Sequence, residues 1–539
     1  SGNWLKEHRA GAEDTVEAMF VLKHDPEAMK AFESKLLDIS NPKSKNFGKY
    51  MSKSEIKDAI GPKGDAVKTV VDYLQSFGVN ATTVNANGDM IQVKMPAPTA
   101  EKVFSTEFAK FRHMKERGTS INRITKPYHL PEEIASVVSV VEDIMRFPSI
   151  REPLLSFGAE ASADAEFGAC GSGCNGYTTP AVLQSAYGYT DITSVSEGNS
   201  MSVAEFQGQY YDQTDLDTFS SACDVTVTVE EAVGGNNEKL CERGGCVESL
   251  LDIEYIGAIS HPIPLTVVYS STFSLFDWVN TVMEMDSPPL VNSVSYGNDE
   301  NQQTSTEYME STNEAFMQAG AMGLSILFAS GDQGVWGRTG ASKNGKFNPD
   351  FPGGSPYVTA VGGTNFQTKS VIGAESTWDC GGGGFSDEFE TPSWQQDVVT
   401  TYFSEAAAAG VLPDSNLYNS KGRGYPDLAA LGGQTNPYCI STSGGKFGGV
   451  AGTSASCPVV AGIFANLNNE RMAAGKAPMG WLNQFIYANP HCFNDVNDGS
   501  MNNCYKGYDG FAALDGWDPA TGFGSPIYSC LSTAANALP

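Results

Sequence analysis

Gly452-Thr453-Ser454-Ala455-Ser456-Cys457-Pro458 leads into an apolar stretch, Val459 to Leu467, whose composition predicts a helix. A serine hydroxyl at a helix N-terminus sits where backbone N–H groups and the helix dipole favour the negative charge of acyl transfer. Pro458 fits a first helical turn, where an N–H has no intrahelical acceptor to lose. An ordinary helix cap would look the same. The six histidines are His8, His24, His113, His129, His261 and His491, and none stands in a His-Gly-Thr context. If Ser454 is a nucleophile, its base is some other group.

Carboxylates are the candidates. Glu248 and Asp252 stand four apart in Cys246-Val247-Glu248-Ser249-Leu250-Leu251-Asp252, so a helix sets both on one face. Two carboxylates that close raise one another's proton affinity. A Glu bonded to a serine hydroxyl and backed by a protonated Asp can act as base and then acid, under acidic conditions. The alternative is a solvated helix face. Asp332 follows an apolar strand in Ala329-Ser330-Gly331-Asp332-Gln333-Gly334. Its acid form could donate a hydrogen bond to an oxyanion; an Asp in a Gly-rich turn is the plainer alternative.

The elements that must position these groups alternate along the second part of the chain. Strands are expected at Ser202–Phe206, Leu265–Tyr269, Leu290–Ser295, Leu324–Ala329 and Tyr357–Val361, and helices at Val247–Ala258, Leu275–Glu284 and Thr306–Ala321. This predicts a largely parallel sheet flanked by helices, with active residues beyond the carboxyl ends of its strands. Residues 1–150 read differently. Ala28–Ile39, Ser52–Ile60, Lys63–Phe77 and Thr99–Phe108 carry helical patterns and Ile91–Met95 alternates like a strand, which predicts a smaller α+β domain with an antiparallel sheet. Residues 151–178 are small and glycine-rich, and read as a linker with a processing site before a catalytic domain at 179–539.

The 539 residues are enough for two buried cores, and 41% hydrophobic with 18% charged residues marks a globular chain. Residues 1–151 hold 22 Lys and Arg against 20 Asp and Glu, a net of +2, and the rest holds 12 against 43, a net of −31. So acidic a body disfavours nucleic acid and suits solubility at low pH. No apolar run reaches membrane-spanning length. The start, Ser1-Gly2-Asn3-Trp4, does not read as a signal peptide. Eleven cysteines and one sequon, Asn80-Ala81-Thr82, point to an oxidising compartment, with at least one thiol unpaired. Zinc is disfavoured by the scarcity of histidines and the lack of paired CxxC motifs.

Together these pieces resemble the sedolisin (serine-carboxyl peptidase) family, most nearly its tripeptidyl-peptidase members. Asp38-Ile39-Ser40-Asn41-Pro42, Phe47-Gly48-Lys49-Tyr50-Met51 and Tyr128-His129-Leu130-Pro131 are similar to that family's prosegment. Glu248-x-x-x-Asp252, Ser293-Val294-Ser295-Tyr296-Gly297, Ser330-Gly331-Asp332 and Gly452-Thr453-Ser454 occur in the family's order. The resemblance implies a subtilisin-like fold, with Ser454 as nucleophile, Glu248 as general base, Asp252 as its partner and Asp332 as oxyanion donor. It accounts for the missing histidine. Ala451 departs from the serine often found there, and Gln333–Gly337 holds no cysteine where a lysosomal relative carries one, so the disulfide pattern does not transfer whole.

Asn494-Asp495-Val496 and Leu514-Asp515-Gly516-Trp517-Asp518-Pro519 resemble the family's calcium site. The carboxylates of Asp495 and Asp518 and the carbonyls of Val496, Leu514 and Gly516 would offer oxygen ligands to one Ca²⁺ ion; Asx-turns are the alternative. Ser293, Ser295, Tyr296, Gly297, Gly383 and Gly384 are expected as cleft walls, where glycines let an extended peptide approach. The chain thus reads as the precursor of an acid-active peptidase, secreted or held in a lysosomal or acidic vacuolar compartment. Its expected partners are peptides or unfolded proteins and its own prodomain as an intramolecular inhibitor, not nucleic acid or membrane. It would release tripeptides from free N-termini. A related endopeptidase is the alternative, and a catalytically silent secreted binding protein is the rival of another class.

Overall fold

Alternating burial along its strands builds the first of two units. The computed structural model describes residues 4–80, 82–114, 120–147, 170–241, 245–343 and 345–539. Contacts divide the chain into one unit of residues 1–36, 51–149 and 304–314 and a second of 37–50, 150–303 and 315–539. In the first, the head, Ile91, Val93 and Met95 are buried while Gln92 and Lys94 face out, the period of two that a half-covered strand requires. That strand, Met90–Pro96, lies in an antiparallel sheet ordered Thr82–Val84, Met90–Pro96, Thr15–Leu22, Val138–Glu142. A smaller antiparallel sheet joins Trp4–Arg9, Phe108–His113 and Ser120–Ile124. Val70 and Leu74 of the Ala66–Ser76 helix pack on Phe20, Ile91 and Phe104 in one core. The Lys53–Ile60 helix starts with a capping box between Ser52 and Glu55.

One expected helix is shorter than its pattern. Thr99–Phe108 divides into a helix, Ala97–Val103, and a strand that begins at Phe108. Ser105 turns the chain through a left-handed conformation (φ 49°), and Phe108, fully buried, is drawn into the sheet instead.

The second unit, the body, holds an eight-stranded sheet. Its order runs Glu375–Thr377, Thr359–Phe366, Ser325–Ala329, Val291–Val294, Met201–Phe206, Leu265–Ser270, Glu231–Val233, with Leu428–Leu431 paired to Thr359–Phe366. All neighbours are parallel except Glu375–Thr377. The central strands are buried on both faces, as parallel strands covered by helices must be. Two helices on this sheet, Val247–Ser260 and Thr453–Ala473, are buried almost all round. They approach closely because Gly462 has no side chain; a Cβ there would lie 2.8 Å from the Ser260 hydroxyl oxygen. That hydroxyl donates to the Gly462 carbonyl at 2.9 Å.

Five disulfides join Cys170–Cys223, Cys174–Cys439, Cys241–Cys246, Cys380–Cys504 and Cys492–Cys530, leaving Cys457 as a buried free thiol. Most of the expected linker, up to residue 169, lies outside the described residues. From Cys170 onward the chain is fastened to the body: both its cysteines are bridged, and the Thr178 N–H donates to the Pro437 carbonyl at 2.8 Å. No helix among the described residues is long and apolar enough to cross a membrane.

Candidate active site

The ends of two strands, Val291–Val294 and Ser325–Ala329, meet the starts of two helices, Val247–Ser260 and Thr453–Ala473, near Ser454. The helix begins at Thr453, so Pro458 is its sixth residue rather than part of its first turn. That placement has a consequence. A proline at this position withholds the N–H that would have bonded to the carbonyl four residues back, which is the carbonyl of Ser454. The Ser295 hydroxyl, just past the Val291–Val294 strand, reaches that freed carbonyl at 3.4 Å.

Ser295 also stands 2.9 Å from Asp252 Oδ1, on the Val247–Ser260 helix. Asp252 is fully buried and Glu248 is 5% exposed, so the pair does not occupy a solvated helix face. The Glu248 N–H donates to Gln209 Oε1 at 3.2 Å, and the Cys241–Cys246 disulfide ends where the helix begins. Cys457, one turn beyond Ser454, lies between these groups and the sheet, with the Ser293 hydroxyl 3.5 Å from its sulfur. Burial, and then the nearby charges of Asp252 and Glu248, push the Cys457 thiol up to about 12. It is an inert packing residue, and the two carboxylates border it.

On the other side, Asp332 follows the Ser325–Ala329 strand and meets the residue before the serine. The Thr453 N–H donates to Asp332 Oδ1 at 2.6 Å and the Thr453 hydroxyl to the same oxygen at 2.9 Å. A Cβ on Gly452 would lie 3.2 Å from Asp332 Oδ2, so glycine there keeps space beside that oxygen. Asp332 thus caps the N-terminus of the serine helix through one oxygen.

The expected cleft residues split. Ser293 and Ser295 are fully buried and serve the interior through their side chains, as described. Tyr296 is buried against Phe206 and Phe273, and its hydroxyl donates to Glu205 Oε2 at 2.9 Å. Gly297 leaves room for Asp350; a Cβ would come within 2.6 Å of its carboxylate. The glycine run is a packed wall, not a loose loop. The Gly382 N–H donates to the Gly331 carbonyl at 2.7 Å, and the Ser330 hydroxyl returns a bond to the Gly382 carbonyl at 2.7 Å. A side chain on Gly383 would overlap the Pro519 carbonyl. Gly384 is buried at the start of the Gly384–Glu390 strand with φ 141°, a conformation open chiefly to glycine.

Sequence spacing did not single out Glu254, two residues beyond Asp252. It is fully buried, accepts the Ser441 N–H at 3.1 Å, and burial raises its proton affinity far above the usual carboxylate range. The body's two histidines are elsewhere. His261 closes the far end of the Val247–Ser260 helix, about 20 Å along the axis from Glu248. His491 adjoins the Cys492–Cys530 disulfide, whose sulfurs are bonded to each other and offer no thiolate for a metal.

Asp495, Val496, Leu514, Gly516 and Asp518 come together in one loop cluster. The Gly516 N–H donates to Asp495 Oδ2 at 2.8 Å; those of Ala520 and Thr521 donate to Asp518 Oδ1 at 2.9 and 2.8 Å, and that of Leu514 to Oδ2 at 3.3 Å. Asp518 is fully buried and none of these partners is cationic. Burial, with the Asp495 charge adding to it, drives its proton affinity far up. A buried carboxylate, Asp518, and an exposed one, Asp495, with carbonyls beside them, form an oxygen donor set that suits a hard divalent cation.

Comparison with known proteins bears on the family and the fold. Residues 2–147 match the model of the pro-kumamolisin activation domain and residues 263–481 that of the subtilase family. The chain is 32% identical to physarolisin of Physarum polycephalum, covering 99% of this chain and 96% of that one. It is 31% identical to tripeptidyl-peptidase 1 of Rattus norvegicus, covering 98% and 93%. A solved Pseudomonas sedolisin, a serine-carboxyl proteinase bound to pseudo-iodotyrostatin, shares the fold with a TM-score of 0.52 at 23% identity, over 66% of this chain and 97% of that one.

Proposed function

Because this chain belongs to the sedolisin (serine-carboxyl peptidase) family, as a serine peptidase precursor that carries its activation domain, we propose that Ser454 attacks the scissile carbonyl. In this reading Glu248 takes the serine proton and later gives it to the leaving amine, Asp252 holds the proton that keeps Glu248 in place, and Asp332 stabilises the oxyanion.

One observation carries the reading: Ser295 lies within hydrogen-bond reach of both Asp252 and the Ser454 carbonyl. Its hydroxyl has one proton to give. The shorter contact is the bond it donates to Asp252 Oδ1 at 2.9 Å, so the proton of an acid-form Asp252 resides on the other oxygen, Oδ2, where Glu248 can share it. A protonated Asp252 beside Glu248 is the state that acid–base catalysis by a carboxyl pair requires. On the opposite side, Asp332 Oδ1 accepts from both the N–H and the hydroxyl of Thr453, which places the proton of its acid form on Oδ2, the oxygen beside Gly452. Both features call for acidic conditions, and they support activity in the acid range.

Residues 1–150 would act as an inhibitory prodomain, with processing between it and the body. The likeness to tripeptidyl-peptidase 1 supports release of tripeptides from free N-termini. Asp495 and Asp518, with the carbonyls of Val496, Leu514 and Gly516, would hold Ca²⁺, which would supply fixed positive charge beside the buried Asp518 and support the fold rather than the chemistry. Disulfides fit a secretory or lysosomal setting.

The test is mass spectrometry of products from a long unblocked peptide at about pH 4, near ordinary carboxyl values, together with labelling of Ser454 by a fluorophosphonate. A ladder of three-residue steps is the expected result. Internal fragments would replace the exopeptidase reading by an endopeptidase, and an unlabelled, inactive protein would favour a silent binding protein.

A further inference from the structure

Residues 37–50 belong in sequence to the activation-domain match, which spans 2–147, yet by contacts they are part of the body unit. The segment is folded on itself. The Asp38 carboxylate accepts the Ser44 hydroxyl at 2.5 Å and the Asn46 amide at 2.7 Å, and the Gly48 N–H donates to the Ile39 carbonyl at 2.9 Å. This compact turn presents two aromatic side chains, Phe47 and Tyr50.

Both are seated in the body. Phe47 is 4% exposed and joins the body's core, with the Arg471 guanidinium 5.3 Å above its ring. Arg471 is itself fully buried and donates to the carbonyls of Ala477, Ala535 and Pro539. The Tyr50 hydroxyl donates to the Pro478 carbonyl at 2.8 Å. Its ring and hydroxyl occupy space that two glycines leave: a Cβ on Gly323 would lie 2.5 Å from the ring, and one on Gly480 would overlap the hydroxyl. The Gln484 amide completes the contact by donating to the Leu37 carbonyl at 2.8 Å.

This cradle is not the catalytic centre. Arg471 lies seventeen positions beyond Ser454 on the same helix, about 26 Å along its axis. We propose that Leu37–Tyr50 is an anchor that keeps the activation domain bound after the chain is cut. Its seat is a dedicated exosite built from Arg471, Pro478, Gly480, Gly323 and Gln484. The occupant is a preorganised aromatic turn of this same chain, which loses little further entropy on docking. Release of activity then takes two events, cleavage and unseating. The regulatory consequence rests on the reading of residues 1–150 as an inhibitory prodomain; retention through the exosite does not.

The experiment places a cleavage site for a foreign endoprotease within residues 151–169 of the full chain carrying Ser454→Ala, cuts it near neutral pH, and follows the two pieces by gel filtration. The head is expected to co-elute with the body. Phe47→Ala with Tyr50→Ala should weaken retention about a hundredfold, from the loss of two buried aromatic side chains, so that the pieces separate at micromolar concentration. Spontaneous release of the unaltered head, or equal retention of the double variant, overturns the anchor. If the double variant does not fold, a synthetic peptide of residues 37–51 added to the cut protein should displace the head, and the same peptide with both alanines should not. Equal displacement by the two peptides, or none by either, overturns it as well. The same cut made with Ser454 intact separates the two readings: unchanged activity with the head retained would sink the inhibitory role and leave the anchor standing.

Discussion

The head and the body handle their carboxylates in opposite ways. In the head they are exposed and paired: Glu101 with Arg9, Asp25 with Lys63, Glu107 with Lys126, Glu17 with Lys94 and Asp72 with Lys68. Hydrogen bonds from Lys63, Arg9 and Lys126 hold Asp25, Glu101 and Glu107 below their ordinary values. In the body, the Arg423–Asp427 ion pair is wholly buried. Glu375 and Glu300 bond instead to hydroxyls and a backbone N–H, and burial raises them, Glu375 to about 7 and Glu300 to about 8. The head has exceptions, since burial also lifts Glu142 to about 7 and raises Asp143 and Glu314.

The difference gives the two units opposite pH responses. A carboxyl depressed on folding contributes stability that is present above its unfolded value, near 4, and is lost as pH falls through the folded value. A carboxyl raised on folding contributes stability that is fully present below the unfolded value and is lost as pH rises through the folded one. Acidification therefore removes the head's ion-pair support and favours the body.

The contrast can be tested from its centre outward. If the body's chemistry is carboxyl-based, Ser454→Ala and Glu248→Gln should each lower kcat by roughly 10⁵-fold or more, because such groups act as a unit. Asp332→Asn donates at every pH, so its residual rate should lose the alkaline limb; an unchanged pH profile in a quenched-peptide assay would remove Asp332 from its role. Next comes the proposed calcium loop, where an external cation would take the part that lysines take in the head. Chelation, or Asp518→Ala, should lower the body's stability by about 3 kcal/mol at saturating calcium, read as a fall in melting temperature; elemental analysis without calcium and an unmoved melting curve would end that assignment.

A smaller effect separates the pH responses themselves. The body's melting temperature should rise as pH falls from 8 toward 5, and Glu300→Gln should flatten this slope by an amount worth about 1–3 kcal/mol. A slope unchanged by that substitution would detach Glu300, which accepts the Ser386 hydroxyl at 2.5 Å and the Asp387 N–H at 2.8 Å, from the pH response. Least of all, Ser52→Ala should cost the head about 1 kcal/mol by opening its capping box, with no change in the body's own transition. Movement of both transitions together would show that the units unfold as one.

Much of the candidate site was legible in the residues. The four motifs, the lack of a histidine near Ser454, the alternation of strands and helices and the split of charge at residue 151 are local or additive properties, and spacing or counting reads them directly. Residues four apart share a helix face wherever that helix lies. What spacing cannot read is which face meets solvent. The Glu248–Asp252 face is as compatible with water as with a core until the Thr453–Ala473 helix, closing in over Gly462, covers it. Pro458 looked like a first-turn residue because a helix start is uncertain by a few positions. Only the observed start shows that it opens the Ser454 carbonyl, and only the sheet brings Ser295, 159 positions away, to meet it. The pairing of ten cysteines, the packed glycine wall and the housing of Leu37–Tyr50 in the body were decided the same way. Each is a contact between segments far apart in sequence, set by which surfaces the whole chain can bury at once.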